Sequence, residues 1–339
     1  MSKEIGVGAD HPRMRQSASS FERAFANDLT AAMVIAGVIE QFSCNFLLND
    51  PGAELATANF KIPLINPRCS LPHHEPCRRE SGAERTHQAR VSLRRIRSTI
   101  RTFEGLIDPS WAATIANELS WYGKILGAQR DVDVLRGAVE KAMGLVDVIS
   151  HRLVILEALD FAIEVTYERA VLERTSRRYA HLVEEIGGLS STTHFVADAG
   201  ELAHDVLAPE LISSWQDVAS RCHDARKVRS DERLHELRKA LKHLQYACET
   251  VGIVEESRAN QFARRCGLVQ RRLGQVHDAS FALEWLAILR TTEPSTRQSI
   301  DSLLEHFRAI HRGARRGWRH DMRRVEREWN QWDEARWSH

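Results

Sequence analysis

Two stretches about 148 residues apart carry the same interleaving of cations and aliphatics, and that recurrence limits the possible folds more than any other feature. The first reads His87-Gln-Ala-Arg90-Val-Ser-Leu-Arg94-Arg95-Ile-Arg97-Ser-Thr-Ile-Arg101. At about 100° of rotation per residue, His87, Arg90, Arg94, Arg97 and Arg101 share an arc of roughly 80°. Leu93, Ile96, Ile100 and Phe103 occupy the adjoining arc, where a core-facing stripe belongs. No Asp or Glu lies between Arg85 and Phe103, so these cations have no acidic partner on their own helix. The second stretch reads His235-Glu-Leu-Arg238-Lys239-Ala-Leu-Lys242-His243-Leu. Here His235, Arg238 and Lys242 repeat His87, Arg90 and Arg94, while Leu241 and Leu244 repeat Leu93 and Ile96. A helix with one apolar and one cationic stripe, written twice, is suited to packing on one side and holding a polyanion on the other.

A second pair of landmarks keeps nearly the same offset. Leu126-Gly127-x-x-Arg130-Asp131-x-Asp133 returns as Leu273-Gly274-x-x-His277-Asp278, with Lys124 and Arg271 at equivalent positions. Two landmarks repeated in the same order predict an internal duplication. The rest of the pattern is helical and no strand periodicity emerges. The expected fold is all-α: two related helical bundles packed as one unit.

Segment by segment, residues 1–18 read as a loose polar tail, and apolar residues at helical spacing make a long first helix from Phe21 to Leu48. Asp50-Pro51-Gly52 ends it. Residues 50–81, with Pro51, Pro63, Pro67, Pro72 and Pro76, read as an irregular insertion. Ser81-x-x-Glu84 has capping-box spacing and puts the start of the basic helix near Gly82. A turn is expected at Leu126-Gly127 and another near Leu273-Gly274, each leading into a further helix. Gly187-Gly188 marks the expected boundary between a first bundle, 19–187, and a second, 188–335. The second half is expected to hold helices near 198–228, 231–251 and 257–273, another from Asp278, and a last one from about Thr296 to Trp332.

Charge points the same way through its placement, since the net charge of the 339 residues is only +1. Thr192 to Ser220 contains no Lys or Arg but holds Asp198, Glu201, Asp205, Glu210 and Asp217. His306 to Arg327 contains eight Arg against Asp321 and Glu326. Concentrating cations in particular helices makes a focused anion site without raising the pI. Arg308, Arg312, Arg315, Arg319 and Arg323 share an arc of roughly 80°, either a second wall of an anion cleft or an external nucleic-acid surface, with the cleft favoured. Six thinly spread Cys suit a reducing compartment. The N-terminus lacks the order of a signal peptide, and the apolar run Ala31 to Ile39 is too short to span a bilayer.

These motifs resemble those of the CHAD family, the conserved-histidine α-helical domain. His87-x-x-Arg90-Val-x-Leu-Arg94-Arg95-Ile-Arg97 is similar to its first histidine motif and Leu126-Gly127-x-x-Arg130-Asp131 to its companion. The stretches around His235 and Leu273 are similar to the second-half pair, and Ser176-Arg-Arg178-Tyr179 and the Arg- and Trp-rich final helix also look familial. The resemblance implies two antiparallel four-helix bundles related by pseudo-twofold symmetry. It also implies binding of inorganic polyphosphate in a basic cleft, and association with polyphosphate granules in the cytoplasm. Carried onto this chain, the binding set is His87, Arg90, Arg94, Arg97, Arg101, Lys124, Arg130, Arg178, His235, Arg238, Lys239, Lys242, Arg271, Arg308, Arg312, Arg315 and Arg319. Gln245 stands where the family usually has a basic residue, and the Pro-rich insertion is longer than the family's. The alternating Glu-x-Glu-x-Lys signature of the triphosphate-tunnel domain is absent, so no catalysis is carried over.

Rigid, permanently charged guanidinium forks suit a chain of phosphates. A histidine in the first turns of a helix adds local dipole and free N–H groups, and a nearby polyanion favours its protonation. Asp131, Asp133 and Asp278 are either carboxylates or magnesium ligands of a metal-dependent phosphohydrolase, or residues that cap a following helix or orient an Arg; the second reading is preferred. Cys69, His73, His74 and Cys77 put soft ligands close together, at a spacing that matches no common zinc site. The leading expectation is a polyphosphate-binding module with no cofactor and no catalytic set. A phosphohydrolase and a nucleic-acid-binding protein are the alternatives.

Overall fold

The computed structural model describes residues 28–60, 80, 82–192, 194–254 and 258–336. Ten α-helices carry the fold among them. These are α1 (Ala31–Asn49), α2 (Ala53–Phe60), α3 (Gly82–Thr102), α4 (Pro109–Ala142), α5 (Ile149–Arg174), α6 (Arg177–Thr192), α7 (Ala203–Lys227), α8 (Asp231–Val251), α9 (Arg258–Thr292) and α10 (Arg297–Arg336). No strand forms among the described residues. Two isolated bridges, Thr30 with Leu202 and Ile107 with Phe195, tie the approach to α1 to that of α7, and the α3–α4 loop to the α6–α7 loop. The fold is all-α, as expected.

Several helix starts follow from local chemistry. Thr30 caps α1 by accepting from the Met33 amide at 3.3 Å. Asp108 accepts from the Trp111 amide at 2.8 Å, and Pro109 opens α4 with the φ it already prefers. Ser230 accepts from the Arg233 amide at 3.2 Å, and Asp231 and Glu232 then place negative charge in the first turn of α8.

Three expectations need correction. Leu126-Gly127 and Leu273-Gly274 are not turns. They lie inside α4 and α9, single helices of 34 and 35 residues. A lone glycine costs a helix about 1 kcal/mol and does not end it when flanking turns are packed. Gly187-Gly188 likewise lies inside α6, which runs to Thr192. Third, residues 53–60, expected to be irregular, form the helix α2. Helix α1, whose 19 residues at a mean hydropathy of 1.6 would suffice by length and composition to cross a membrane, ends at Asn49, close to the expected Leu48. It is a core helix, with Ala31, Val34, Ile35, Ile39 and Phe46 fully enclosed. The first-helix expectation before residue 28, the Ser81 half of the capping box and the Cys69/His73/His74/Cys77 cluster lie outside the described residues.

The long helices pass through two separate hydrophobic cores. The larger is built on α1, α3, α6, α7 and α8, with the N-terminal halves of α4 and α9 and the C-terminal half of α10. The smaller gathers Leu135, Val139, Ile155, Leu159, Leu286, Leu303 and Phe307 from α4, α5, α9 and α10. On α4 and α9 the residues between the two cores include Arg130, Asp131, His277 and Asp278, a polar waist in an otherwise apolar stack.

Candidate functional site

The two basic helices, α3 and α8, are pinned to each other by side chains outside the cationic stripe. The His243 ring sits between two hydroxyls of α3, with Ser98 Oγ 2.7 Å from Nδ1 and Thr102 Oγ1 3.1 Å from Nε2. Burial, reinforced by Arg101, pushes its pKa down to about 4, so the ring is neutral near pH 7, one nitrogen donating and the other accepting. Arg95 lies over the rings of Tyr246 at 4.1 Å and Phe42 at 4.9 Å, and pairs with Glu249. At the 148-residue offset, Arg95 corresponds to His243 and Ser98 to Tyr246, so the two contacts are reciprocal.

With those faces used, each helix keeps one sector for its cations. Arg90 lies against α4 at Gly127: a Cβ there would stand 3.7 Å from the Arg90 Nε. Arg238 lies against α9 in the same way, 3.6 Å from the Cβ position of Gly274. Each Leu-Gly landmark thus packs against a guanidinium from a basic helix, close enough that a Cβ would stand in ordinary van der Waals contact with it. Burial, with Arg94 second, pushes the Arg90 pKa down to about 10. Burial lowers Arg238 too, opposed by Asp278 and reinforced by Arg94. Asp131 stabilises the charge of both arginines. Neither aspartate caps a helix, since α4 and α9 run straight through them; their charge partly offsets that of the buried arginines. Asp133 stands apart, 3.5 Å from the Tyr167 hydroxyl.

Lys242 is the most loaded member of the cluster. Burial first, then Arg94, Arg238, Arg90 and Arg95, brings its ammonium down to about 7. Arg97 is lowered by burial and by Arg94 and Arg101. His87 is lowered by burial and by Arg130. His235 is lowered by burial and by His277, whose ring centroid is 5.1 Å away. The Nδ1 atoms of His87 and His235 are both enclosed, with no hydrogen-bond partner among the described residues. The cluster is thus strained by its own charge. An anion entering it would relieve repulsion that the protein alone leaves uncompensated.

Other expected residues fall elsewhere. Lys124 and Arg271 are exposed, on α4 and α9, one turn before the two glycines. Lys239 is exposed and paired with Glu236 at 2.6 Å. Arg178 is taken up by a bidentate pair with Glu118, at 2.8 and 3.0 Å, over the Trp121 ring. The α10 stripe does not join the cluster as a second wall. Arg315 reaches Asp231 at 3.1 Å and the Arg229 carbonyl at 2.6 Å, and Arg319 reaches the Arg226 carbonyl at 3.3 Å. Those contacts hold it at the α7–α8 corner, with Arg308 and Arg312 exposed on the same helix. None of its arginines is among the main charges acting on Arg90, Arg238 or Lys242. Among the described residues, no group of three or more His, Cys, Asp or Glu side chains is placed to hold a metal ion.

Four contributors escaped the sequence reading: the arginine contacts at Gly127 and Gly274, and the helix-pairing roles of Arg95 and His243. For the glycines the signal was present in the shared offset. For Arg95 and His243 none was, because their partners on the other basic helix lie 141 to 154 positions away in the chain.

The model of the CHAD domain matches residues 70–287. Two uncharacterized proteins of Mycobacterium tuberculosis, from strains CDC 1551 / Oshkosh and ATCC 25618 / H37Rv, are each 26% identical over 227 residues, 61% of this chain and 41% of their own. The chain thus matches less than half the length of these curated relatives. Among solved structures, PptA from Streptomyces chartreusis superimposes with a TM-score of 0.66 at 18% identity, covering 87% of this chain and all of that one. The CHAD domain from the plant Ricinus communis gives 0.60 at 18% identity, covering 88% and 93%. At such identities these two support the fold alone.

Proposed function

We propose that this chain, which belongs to the CHAD domain family, binds inorganic polyphosphate across the paired basic helices α3 and α8. The family is linked to polyphosphate binding in general. The observation that carries the reading for this chain is Lys242, a half-buried ammonium ringed by Arg90, Arg94, Arg95 and Arg238. Asp131 and Asp278 answer only part of that charge, so the site is short of anions. Polyphosphate supplies one negative charge per unit, in a narrow chain without bases. Arg97, Arg101 and Arg130 extend the cationic track. On α8 the positions equivalent to Arg97 and Arg101 hold Gln245 and Glu249, so the track is longer on the α3 side. We extend the reading to residence at cytoplasmic polyphosphate granules, where such a ligand is concentrated.

Competition is the direct test. Long-chain polyphosphate should displace a labelled polyphosphate probe far better than an equal phosphate concentration of single-stranded RNA or duplex DNA. With about seven cations engaged, and the single-strand coefficient applied by analogy, log affinity should fall with log salt at a slope of about −5. RNA competing as well as polyphosphate would replace this reading with the nucleic-acid one.

Binding should also tighten as pH falls. A bound polyanion raises the pKa of Lys242, His87 and His235, all held low in the free protein. Their protons are therefore taken up on binding. For Lys242 the uptake is nearly complete above its free value of about 7, and fades below it. Affinity should drop by up to about tenfold per pH unit between about pH 7 and 9. Lys242→Arg, charged throughout, should flatten that profile in titrations at matched ionic strength. An unchanged profile in this variant would remove Lys242 from the site.

A further inference from the structure

Apart from the α3–α8 cluster, positive charge also gathers where α10 passes the C-terminal end of α7. Arg319 donates to the Arg226 carbonyl at 3.3 Å, and Arg226 pairs with Glu326 at 2.9 Å. Between these groups lies a hollow of about 420 Å³ lined by Arg226, Arg319, Arg323 and Glu326. Three guanidinium groups thus face one carboxylate, and Arg226 already uses that carboxylate. Arg323 has no acidic partner within 4 Å among the described residues. The nearby Cys222 thiol lies 3.7 Å from Glu326 Oε1, and burial pushes its pKa up to about 12, so it adds no negative charge at neutral pH.

We propose that this α7–α10 hollow is a second anion site, which takes short inorganic oligophosphate independently of the α3–α8 cluster. Several observations favour phosphate over other anions. Guanidinium forks converging from two helices match tetrahedral oxyanions through paired N–H donors. The tryptophans of α10 that flank the hollow in sequence, Trp318 and Trp329, are only 3% and 7% exposed, so no ring is offered for a base to stack on. The volume suits a small ligand and not a duplex. Separation from the main cluster follows from the contacts. Arg315 and Arg319 are anchored at residues 226 to 231, and no α10 arginine figures among the main charges acting on Arg90, Arg238 or Lys242.

Calorimetric titration of the full chain with inorganic tripolyphosphate tests this. Two classes of site are expected. Arg319→Gln with Arg323→Gln should weaken one class by about tenfold or more, the loss of a charge-assisted contact, and leave the other unchanged. Arg94→Gln with Lys242→Gln should do the reverse. Glu326→Gln removes the only carboxylate that lines the hollow among the described residues and should tighten the α7–α10 class several-fold, which a purely structural ion pair would not do. A single class in the wild-type chain, or two classes untouched by the Arg319/Arg323 pair in a protein of normal helicity, overturns the proposal. If the Arg94/Lys242 variant keeps both classes while the Arg319/Arg323 variant loses one, the α3–α8 reading fails and this one stands.

Discussion

Replacing Arg94 and Lys242 together by glutamine should lower affinity for long-chain polyphosphate by about 10³-fold, the loss of two charge-assisted contacts at roughly 2 kcal/mol each. The salt slope should become shallower by about 1.4, two contacts at the single-strand coefficient. The same variant should melt no lower than the wild type. Burial and four arginines press on Lys242 and bring its pKa down to about 7, and Arg94 contributes to the lowering of Arg90, Arg97 and Lys242. Removing both relieves repulsion and strands no carboxylate. Arg90 and Arg238 differ, because Asp131 and Asp278 lean on them. Glutamine there should cost binding and stability together, since each change leaves a partly buried aspartate short of its partner. Anisotropy titrations beside thermal melts would separate the two cases. Wild-type affinity in the folded Arg94/Lys242 variant would reduce the stripe to a solvated helix face.

The basic helices themselves were legible in the sequence. The stripe, its apolar neighbour and the Ser230 cap make α8 run Asp231–Val251, as its periodicity predicts, and α3 begins at Gly82. Their shared offset also marked Arg90, Arg94, Arg238 and Lys242 as equivalent. What could not be read was continuity. Leu-Gly in a polar context looks like a turn, and only the packed structure reveals that the helix runs on, with an arginine from another helix packed against each glycine. Misreading the turn then made Asp131 and Asp278 look like caps.

Long-range pairing hid the rest. Nothing near Arg178 in the chain announces Glu118, which is 60 residues away and holds it bidentately. Periodicity grouped the α10 arginines correctly with one another, but could not say which neighbour they meet. That depends on the α7–α8 connection, where Asp231 accepts from Ser280 at 2.9 Å, pairs with Arg315 and contacts the His311 Nε2 at 2.7 Å. A stripe predicts a surface; the loop it lands on decides the partner.

Asp50 shows the same limit from the side of stability, and its removal should have the largest effect on the fold. In sequence, Asp50-Pro51-Gly52 reads only as a helix stop. In the structure the Asp50 side chain is wholly enclosed and accepts from the Tyr122 hydroxyl at 2.7 Å, the Tyr179 hydroxyl at 2.5 Å and the Gly52 amide at 2.9 Å. Arg174 Nε lies 3.6 Å from the same carboxylate and donates to the Tyr122 hydroxyl at 3.0 Å. One residue thus ties the end of α1 to α4, α5 and α6. Asp50→Ala removes the anion and leaves the Arg174 guanidinium, 8% exposed, without its counter-charge. Breaking one side of such a buried pair costs about 3–5 kcal/mol. Tyr179→Phe removes one hydrogen bond and should cost only about 1–2 kcal/mol. Gly52 belongs to the same node, since a Cβ there would stand 2.5 Å from Arg174 Cγ, so Gly52→Ala must displace the arginine. Urea unfolding should rank Asp50→Ala well below Tyr179→Phe, with polyphosphate affinity per folded molecule unchanged in both. An Asp50→Ala midpoint within error of the wild type would mean that the aspartate and Arg174 hold no net stabilising interaction. The tyrosines and the apolar faces of α1 and α6 would then secure this end of the molecule.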